Sequence, residues 1–530
     1  MPIKAYMEQY NMKYPGINPM HVASHKISNL FSVLYNSNAL LISIVLVGFT
    51  TRLTMYLSGR SFWIDEAMLV LNITDRSFVG LFHQLDYHQG APIGFLLVEK
   101  LVITYFGDTE YAFRLFPLIC GALSVLLFYR LAKYCIETQC IPIALFLFAI
   151  SSSLIYYSSE VKQYSCDVTI TILLYILILN FQSKKASWRQ VIYLSLVGAI
   201  SVWFSHPATL ILAGLGSWLI LQGLMAKDWL LISKILVACS AWICSFLGLY
   251  HLSLSHIAQD MVLLDFWKPA FMPFPPRSIT DIKWFTTSFL DVFKFLLGLS
   301  GSHWQGIHWI LLFLIGSTVM WKKNIKLLSL LISPFPFILL ASGMHRYPFS
   351  GRLILFIIPV VILLISKGIG NLYQAYHICY KNICIAVIGL IVLYPFYETV
   401  IDIIKHSEKE EVQQAVRYID KYWESGDVLY VYYSSIPAFK YYSKKYNNVR
   451  NVNYIVGIGS RDNCSEYAKD LDKLCGNERV WVLISHNCNW RGVDEEKLFI
   501  NYLNHIGVEL QHFKATGASV YLYNLECSSN

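Results

Sequence analysis

The sequence predicts a polytopic α-helical membrane protein that ends in a small α/β domain outside the membrane. Hydrophobic residues make up 55% of the 530 residues and charged residues only 14%, against about 25% charged residues in an ordinary soluble domain. The mean hydropathy is +0.48. A chain of this composition cannot bury its apolar surface in a water-soluble core, so a lipid bilayer must cover much of it.

Eleven apolar segments are expected to cross the membrane, because a helix needs about 20 apolar residues to do so. The stretch 190–225 would be roughly 54 Å long as a single helix, so Ser205-His206-Pro207 is expected to break it into a hairpin. The expected spans are 39–57, 113–134, 141–158, 167–181, 190–205, 207–225, 229–250, 305–321, 326–342, 353–371 and 382–400.

The segment 92–106 decides the topology. It is short and carries Glu99-Lys100 at its middle, so we expect it to lie in the membrane interface without crossing. The basic clusters between the spans then all fall on the cytoplasmic side, as basic residues prefer, and the net charge of +8 reflects topology rather than nucleic-acid binding. These clusters are Arg130/Lys133, Lys184/Lys185/Arg189, Lys227/Lys234, Lys322/Lys323/Lys326 and Lys367/Lys381.

This topology divides the chain into a cytoplasmic N-terminal segment, a transmembrane domain and an extracytoplasmic C-terminal domain, over 1–38, 39–400 and 401–530. The long loop 251–304 has a Pro-rich stretch and an amphipathic run, which predict helices lying in the interface. In the last part, polar helices alternate with apolar strands, which predicts an α/β domain with a mostly parallel sheet. The expected helices are 408–424, 437–445 and 494–506, and the expected strands are 428–433, 480–485 and 518–523.

An acidic pair closely follows the first span, in Trp63-Ile-Asp65-Glu66. Two adjacent carboxylates beside a Trp at the interface could provide a base that takes a proton from an acceptor hydroxyl or amine. Burial and mutual repulsion would raise the pKa of one carboxyl into a useful range. The alternative is a solvated loop, since Asp before an apolar stretch is also a common helix start.

A second acidic group stands where the third span ends and the fourth begins. Here Tyr157, Glu160, Tyr164 and Asp167 recur at intervals of 3, 4 and 3 residues, which places them on one face if the segment is helical. Ionisable groups this close to hydrocarbon are costly and are usually functional or paired. The alternative is that Lys162 simply neutralises them.

Two arginines bracket the tight turn His345-Arg-Tyr-Pro-Phe-Ser-Gly-Arg352. The guanidinium groups of Arg346 and Arg352 suit bidentate capture of a phosphate at headgroup depth. The alternative is anchoring to lipid headgroups. Because positive charge is normally biased to the cytoplasmic side, two arginines in an outer turn favour a functional site.

A metal site has weaker support from the sequence. The twelve cysteines contain neither a CxxC pair nor a zinc-ligand spacing, which argues against a structural metal. His83, His88 and His206 map to the same side as Asp65, so a divalent cation stays open as a cofactor, although no ligand spacing supports it.

These motifs resemble the GT-C superfamily of membrane glycosyltransferases, in particular the branch with the protein O-mannosyltransferases, the aminoarabinose transferase of lipid A and the bacterial RgtA/B/C/D-like enzymes. The matching motifs run in the expected order over roughly 60–370. They are Trp63-x-Asp65-Glu66, Ala91-Pro-Ile-Gly-Phe-Leu-Leu, Phe106-Gly-Asp-Thr-Glu110-Tyr-Ala-Phe-Arg114-Leu-Phe-Pro, Tyr157-Ser-Ser-Glu160-x-x-x-Tyr164 and Tyr347-Pro-Phe-Ser-Gly-Arg352.

The resemblance implies an inverting transfer of a sugar from a polyprenyl-phosphate donor to a glycan, lipid or protein acceptor at the outer membrane face. Asp65 would be the base with Glu66 beside it, and Glu160 or Asp167 would be the second acidic group. The donor phosphate would be bound by Arg346 and Arg352, which would stabilise the departing lipid phosphate. The expected substrate-pocket residues are Trp63, His88, Tyr157, Tyr164 and Tyr347.

Departures from the family pattern bear on the substrate. Met68 and Gln89-Gly90 stand where the aminoarabinose-transferase pattern has an Arg after the acidic pair and a Glu-Lys before the Pro, which argues against the same sugar. A transporter or flippase of lipid-linked sugars would instead place ionisable groups near the midplane in two related halves. A polysaccharide polymerase or ligase would make its largest loop late in the chain and lack the early acidic pair. We expect a bacterial inner-membrane enzyme.

Overall fold

The computed structural model describes residues 38–181, 187–297, 306–404, 409–460, 464–487 and 494–526. Apolar helices form the first part of the chain, and a five-stranded sheet with its own helices forms the last. This confirms the predicted class, a helical membrane protein with a small C-terminal α/β domain. The expected N-terminal segment, except for Asn38, and Lys184 and Lys185 lie outside the described residues.

The α-helices of the membrane domain are numbered in chain order. They are α1 Asn38–Leu57, α2 Ile64–Asp75, α3 Ile93–Phe106, α4 Glu110–Cys135, α5 Ile141–Ile150, α6 Ser152–Tyr157, α7 Tyr164–Asn180, α8 Trp188–Phe204, α9 Ala208–Ala226, α10 Trp229–Leu249, α11 Ser255–Gln259, α12 Met261–Trp267, α13 Ile279–Leu297, α14 Ile307–Ile332, α15 Phe335–Gly343 and α16 Ile358–Ile404.

Six helical stretches among the described residues are long and apolar enough to cross a membrane. They are Asn38–Leu57, Glu110–Cys135, Ala208–Ala226, Trp229–Gln259, Ile307–Gly343 and Gly351–Ala375. Shorter apolar helices cover Thr138–Ile150, Tyr164–Asn180 and Trp188–Phe204. The expected spans 305–321 and 326–342 share one of the long stretches, which contains the non-helical residue Asn324 (φ −155°, ψ 76°).

The helix α16 contains most of the expected span 353–371 and the whole of 382–400. Near its start, a Cβ at Gly370 would lie 2.2 Å from Cys140 Sγ, and near its end Thr399 donates to the Ile150 carbonyl at 2.6 Å. A single helix of 10 residues joins Cys140 to Ile150, a distance of about 15 Å, whereas a straight helix from 370 to 399 would measure about 44 Å. The chain therefore changes direction within α16.

The C-terminal domain combines four helices with five strands. They are α17 Val412–Tyr422, β1 Val428–Val431, α18 Ile436–Ser443, β2 Tyr454–Val456, α19 Cys464–Leu471, β3 Val480–Ser485, α20 Glu495–Ile506, β4 Val508–Ala515 and β5 Ala518–Asn524. The sheet order is β2-β1-β3-β5-β4. Strand β1 is parallel to β2 and β3, whereas β5 is antiparallel to β3 and β4.

The sheet corrects one prediction, because only half of its strand pairs are parallel. Strand β2 and helix α19 were not expected from the sequence, and the final β segment expected after 506 consists of two strands, β4 and β5. Strand β2 has 3 residues, and β4 lies at the sheet edge with mostly exposed side chains. Neither strand therefore shows the continuous apolar run that identifies a buried strand.

The C-terminal domain docks on one face of the membrane domain, which we call the site face. The Phe62 N–H donates to the Tyr442 hydroxyl at 2.7 Å, Lys444 pairs with Asp75 at 2.8 Å, and the hydroxyl of Tyr441 donates to Asp108 at 2.7 Å. Residues 58–112 and the C-terminal domain therefore share one face, as the predicted topology requires.

The helix α3 has the length and the contacts expected of a segment that stays on one side of the membrane. Just before it, Tyr87 contacts Lys440 at 3.3 Å, and just after it, Asp108 contacts Tyr441. Both ends of α3 therefore lie beside the same helix α18. With 14 residues, α3 is about 21 Å long, which is shorter than the roughly 30 Å of a hydrocarbon core.

Helices α14 and α16 pack through glycines, and this contact yields a stability prediction. A Cβ at Gly316 would lie 1.8 Å from the Leu364 carbonyl oxygen, whereas a Cβ at Gly389 would meet nothing within 4 Å. We expect Gly316→Ala to lower the melting temperature of the detergent-purified protein by several degrees, because the two helices must move apart. Gly389→Ala should leave the melting temperature unchanged or slightly raised, since Ala favours helix. Equal melting temperatures for the two variants would contradict this packing.

Candidate functional site

The site lies at the amino end of α2, where Asp65 and Glu66 occupy the first helical turn. A helix amino terminus favours negative side chains because unpaired N–H groups point toward them. The chain before this turn is held by the C-terminal domain. Ser61 N–H donates to Glu411 Oε1 at 3.2 Å, and Ile64 N–H donates to Glu410 Oε2 at 3.1 Å. Both domains therefore fix the backbone that presents Asp65.

Glu66 is buried, and both of its carboxylate oxygens accept hydrogen bonds. Arg114 of α4 donates from Nε to Oε1 at 3.1 Å and from Nη2 to Oε2 at 2.7 Å. The Val161 N–H also donates to Oε1 at 2.9 Å. Burial alone would raise the pKa of Glu66, but Arg114 outweighs it and holds this pKa below its ordinary value. Glu66 thus ties α2 to α4 and to the turn before α7, which departs from the expectation that it acts beside Asp65.

Asp65 accepts a hydrogen bond from Arg352, which lies in the 3₁₀ turn Gly351–Ile357. Its side chain keeps 22% of its exposure, so the carboxylate is accessible from the site. Burial would raise the pKa of Asp65, but the positive charges of Lys162, Arg352 and Lys409 together lower it below the ordinary value. Asp65 is therefore ionised at neutral pH.

Glu160 lies in the turn between α6 and α7 and is fully buried. Neither of its carboxylate oxygens has a hydrogen-bond partner among the described residues, and the nearest cationic group is Lys409 Nζ at 3.9 Å from Oε2. Burial raises the pKa of Glu160, and the attraction of Lys409 only partly opposes it. A buried carboxyl without partners is uncommon in folded proteins, which marks Glu160 as a group that could contact a polar ligand.

Aromatic rings surround the Asp65–Arg352 pair. The Arg352 guanidinium lies 5.2 Å from the ring centre of Trp63 and 5.9 Å from that of Tyr164. Tyr164 packs edge-on against Tyr157, with ring centres 5.2 Å apart. The structure thus brings together three of the expected pocket residues, Trp63, Tyr157 and Tyr164, with Asp65 and Arg352.

Other predicted site residues are not seen in contact with Asp65 or Arg352 among the described contacts. The exposed Arg346 donates to the Ala258 carbonyl at 3.2 Å, so it does not join Arg352 in a phosphate clamp. The Tyr347 hydroxyl donates to the Leu353 carbonyl at 2.6 Å. Asp167 lies on α7 and is buried, and its Oδ1 has no hydrogen-bond partner among the described residues.

His88, one of the expected pocket residues, has a carboxylate partner of its own. His88 Nδ1 contacts Asp260 at 2.8 Å, and the described residues contain no group of three or more His, Cys, Asp or Glu side chains arranged to hold a metal ion. His88 is therefore paired with Asp260, whereas the partner of Asp65 is the guanidinium of Arg352.

Sequence reasoning missed three basic residues of the site or did not assign them a role. Arg60 is buried, donates from Nη2 to the Ser159 carbonyl at 2.9 Å and lies 4.5 Å above the Tyr156 ring. Lys162 is buried, and its Nζ donates to Gln89 Oε1 at 2.6 Å. Lys409 reaches the site from the C-terminal side. The position of Lys162 between Glu160 and Tyr164 was a usable signal, whereas nothing near Lys409 in the sequence points to the site.

Four basic side chains lie around Asp65 and Glu160. They are Arg60, Lys162, Arg352 and Lys409. Glu66 and Arg114 neutralise each other, and the carboxylates of Glu410 and Glu411 accept hydrogen bonds from the backbone of Ile64 and Ser61 at the edge of the site. Partly buried cations grouped in this way favour an anionic ligand, because charges interact more strongly where water is excluded.

The fold, in contrast to the sequence, has counterparts among known proteins. No protein-family model matches the chain, and no curated protein matches it either. Among solved structures, the aminoarabinose transferase ArnT from Cupriavidus metallidurans bound to undecaprenyl phosphate is similar with a TM-score of 0.55 and 10% identity, covering 91% of this chain and 97% of ArnT. The apo form of the same enzyme gives a TM-score of 0.53, also at 10% identity, with 94% and 98% covered.

An archaeal enzyme extends the comparison. The apo oligosaccharyltransferase of Archaeoglobus fulgidus is similar with a TM-score of 0.50 and 12% identity, covering 92% of this chain and 75% of the archaeal protein. Both neighbours are GT-C membrane glycosyltransferases. The chain therefore shares the fold of these two membrane proteins over more than nine tenths of its length.

Proposed function

We propose that this protein is a membrane glycosyltransferase that takes a sugar from a polyprenyl-phosphate donor and transfers it to an acceptor hydroxyl. The observation that carries the proposal is the Asp65–Arg352 pair within a partly buried group of basic residues. A carboxylate can accept a proton, and a guanidinium can hold a phosphate. The donor class is supported by the fold, since one solved neighbour is bound to undecaprenyl phosphate.

The basic residues suit the leaving group of such a transfer. As the bond between sugar and phosphate breaks, negative charge builds on the lipid phosphate. Arg352, Lys162 and Arg60 lie in a site where burial strengthens their electrostatic attraction. Because Lys162 and Arg60 are already held by Gln89 and Ser159, these two side chains need little reorganisation when the charge develops.

Asp65 supplies the base in this mechanism. The acceptor oxygen attacks the anomeric carbon on the side opposite the phosphate, the bond from that carbon to the phosphate oxygen breaks, and the acceptor proton moves to Asp65. The products are the inverted glycoside and the free polyprenyl phosphate. Arg352 hydrogen-bonds Asp65 before the donor binds. A phosphate that competes for Arg352 would weaken this bond, so donor binding would raise the basicity of Asp65.

The remaining acidic residues take supporting roles. Glu66 is a positioning residue, since its hydrogen bonds to Arg114 and Val161 fix the turn that carries Asp65. Glu160 has carboxyl oxygens without partners among the described residues, and these suit hydrogen bonds from the hydroxyls of the donor sugar. We assign no contact with the reacting atoms to Asp167 or Arg346.

We further propose that the site face is extracytoplasmic, in a bacterial inner membrane. Away from the docked C-terminal domain, Glu137 pairs with Lys367 and lies 3.5 Å from Lys323. These lysines belong to the basic clusters that define the expected cytoplasmic side. The acceptor, a glycan, lipid or protein, would then approach from outside the cell membrane, next to the C-terminal domain.

The role of Asp65 can be tested with Asp65→Asn and the matched control Asp86→Asn, whose carboxylate makes an exposed pair with Arg76. With radiolabelled polyprenyl-phosphate sugars and cell-envelope acceptors, we expect Asp65→Asn to lower turnover by roughly 10²–10⁴-fold because the base is lost. Asp86→Asn should retain wild-type turnover. Equal turnover of wild type and Asp65→Asn would remove Asp65 from the mechanism, and movement of the labelled lipid across liposomes without transfer would favour a flippase.

The positioning role of Glu66 predicts a large difference between two arginine variants. Arg114→Met leaves a buried carboxylate without its partner, so we expect it to lower the free energy of unfolding by about 3–5 kcal/mol. Arg76→Met removes an exposed pair and should cost about 1 kcal/mol or less. Restoring charge balance in Glu66→Met/Arg114→Met should regain part of the loss. Melting temperatures measured in detergent would contradict the account if Arg114→Met and Arg76→Met were equally stable.

A further inference from the structure

The segment that enters the C-terminal domain runs along the edge of the proposed site. Glu411 accepts hydrogen bonds from the N–H and the hydroxyl of Ser61 at 3.2 and 2.9 Å. Glu410 accepts one from Ile64 and also contacts His486, the residue that follows β3. Both carboxylates are buried. The backbone on the C-terminal side of Lys409 is therefore fixed against the turn that carries Asp65.

The turn between β4 and β5 packs against the same segment, residues 409–411. Between β4 and β5, the Thr516 carbonyl accepts the Glu411 N–H at 2.8 Å. A Cβ at Gly517 would lie 2.0 Å from the Lys409 carbonyl oxygen, and the φ of Gly517 is +63°. Glycine is required here both by the left-handed backbone and by the close approach. The C-terminal domain thus sets the position of Lys409.

The side chain of Lys409 points into the site. Its Nζ lies 3.7 Å from the ring centre of Trp63 and 4.7 Å from that of Tyr156. The nearest carboxylate oxygen belongs to Glu160, at 3.9 Å, and the Lys409 ammonium makes no hydrogen bond with any of the described residues. An ammonium group has three donors, and none of the three is used in a hydrogen bond to the described residues, so they suit a polar ligand beside Glu160.

Two other lysines of the C-terminal domain show what a purely docking contact looks like here. Lys444 Nζ lies 2.8 Å from Asp75, and Lys445 Nζ lies 3.0 Å from Glu110. Both bind a carboxylate of the membrane domain directly. The Lys409 ammonium instead lies over the indole ring of Trp63, which the Arg352 guanidinium also contacts. Burial lowers the pKa of Lys409, and Arg352 lowers it further by repulsion, so an anion between the two cations would stabilise both.

We propose that Lys409 contacts the donor phosphate together with Arg352, so that the C-terminal domain completes the donor site. This inference rests on the proposed function and names a binding residue for it. The site would then have its full affinity for the lipid phosphate only while the C-terminal domain is docked. Lys409 would act as a point charge with rotatable donors, whereas Arg352 would supply the planar pair of donors.

The experiment measures binding of undecaprenyl phosphate and of uncharged undecaprenol to the full-length protein in nanodiscs. The two lipids share the same tail, so the ratio of their affinities reports the phosphate contact alone. We compare wild type, Lys409→Met, Lys409→Arg and the docking control Lys444→Met. Because one charge-assisted contact is lost, Lys409→Met should weaken binding of undecaprenyl phosphate by roughly 10–100-fold. It should leave undecaprenol binding unchanged.

The remaining variants separate a phosphate contact from a docking role. Lys444→Met should bind both lipids like wild type, and Lys409→Arg should recover most of the lost affinity. The inference about Lys409 is overturned if Lys409→Met and Lys444→Met bind undecaprenyl phosphate equally well while wild type still prefers it over undecaprenol. If wild type does not distinguish the two lipids, the proposed donor class fails as well, and the Lys409 contact fails with it.

Discussion

The buried ion pair between Glu66 and Arg114 is the interaction on which the rest of the site depends. It joins the first turn of α2 to α4. The N–H of Val161, in the turn before α7, donates to the same Glu66 carboxylate. Because Glu66 is held in this way, the neighbouring Asp65 faces Arg352 instead of the membrane helices. Removing one partner of such a buried pair strongly destabilises the protein. The interaction that sets the geometry of the site therefore also stabilises the fold.

Charge balance links this geometry to function. Glu66 and Arg114 neutralise each other, and four further basic groups lie around Asp65 and Glu160 at the face where the C-terminal domain docks. Asp65 stays ionised because the surrounding cations lower its pKa, while burial raises the pKa of Glu160. Two carboxyl groups in one site thus have opposite shifts. Such separation allows two carboxyl groups in one site to take different roles.

Much of the fold and part of the site could be predicted from the sequence. The apolar segments and the change of composition near residue 400 were enough for the fold class, because hydropathy is a local property of the chain. Asp65, Glu160 and Arg352 stood in compact motifs and meet in the structure. Arg346 was predicted to bind the phosphate together with Arg352, but its side chain is exposed. The sequence does not show which arginine of a turn points inward. Lys409 could not be found, because its contact with Trp63 depends on how two domains dock.

The central claim is that a lipid phosphate binds beside Asp65, between Arg352 and the C-terminal domain. The most direct test is an experimental structure of the protein with undecaprenyl phosphate in a lipid nanodisc. The account predicts phosphate oxygens within hydrogen-bond distance of Arg352 and Lys409, with the Asp65 carboxylate released from Arg352 toward the acceptor side. A phosphate bound out of reach of Arg352, with the Asp65–Arg352 pair intact, would contradict it.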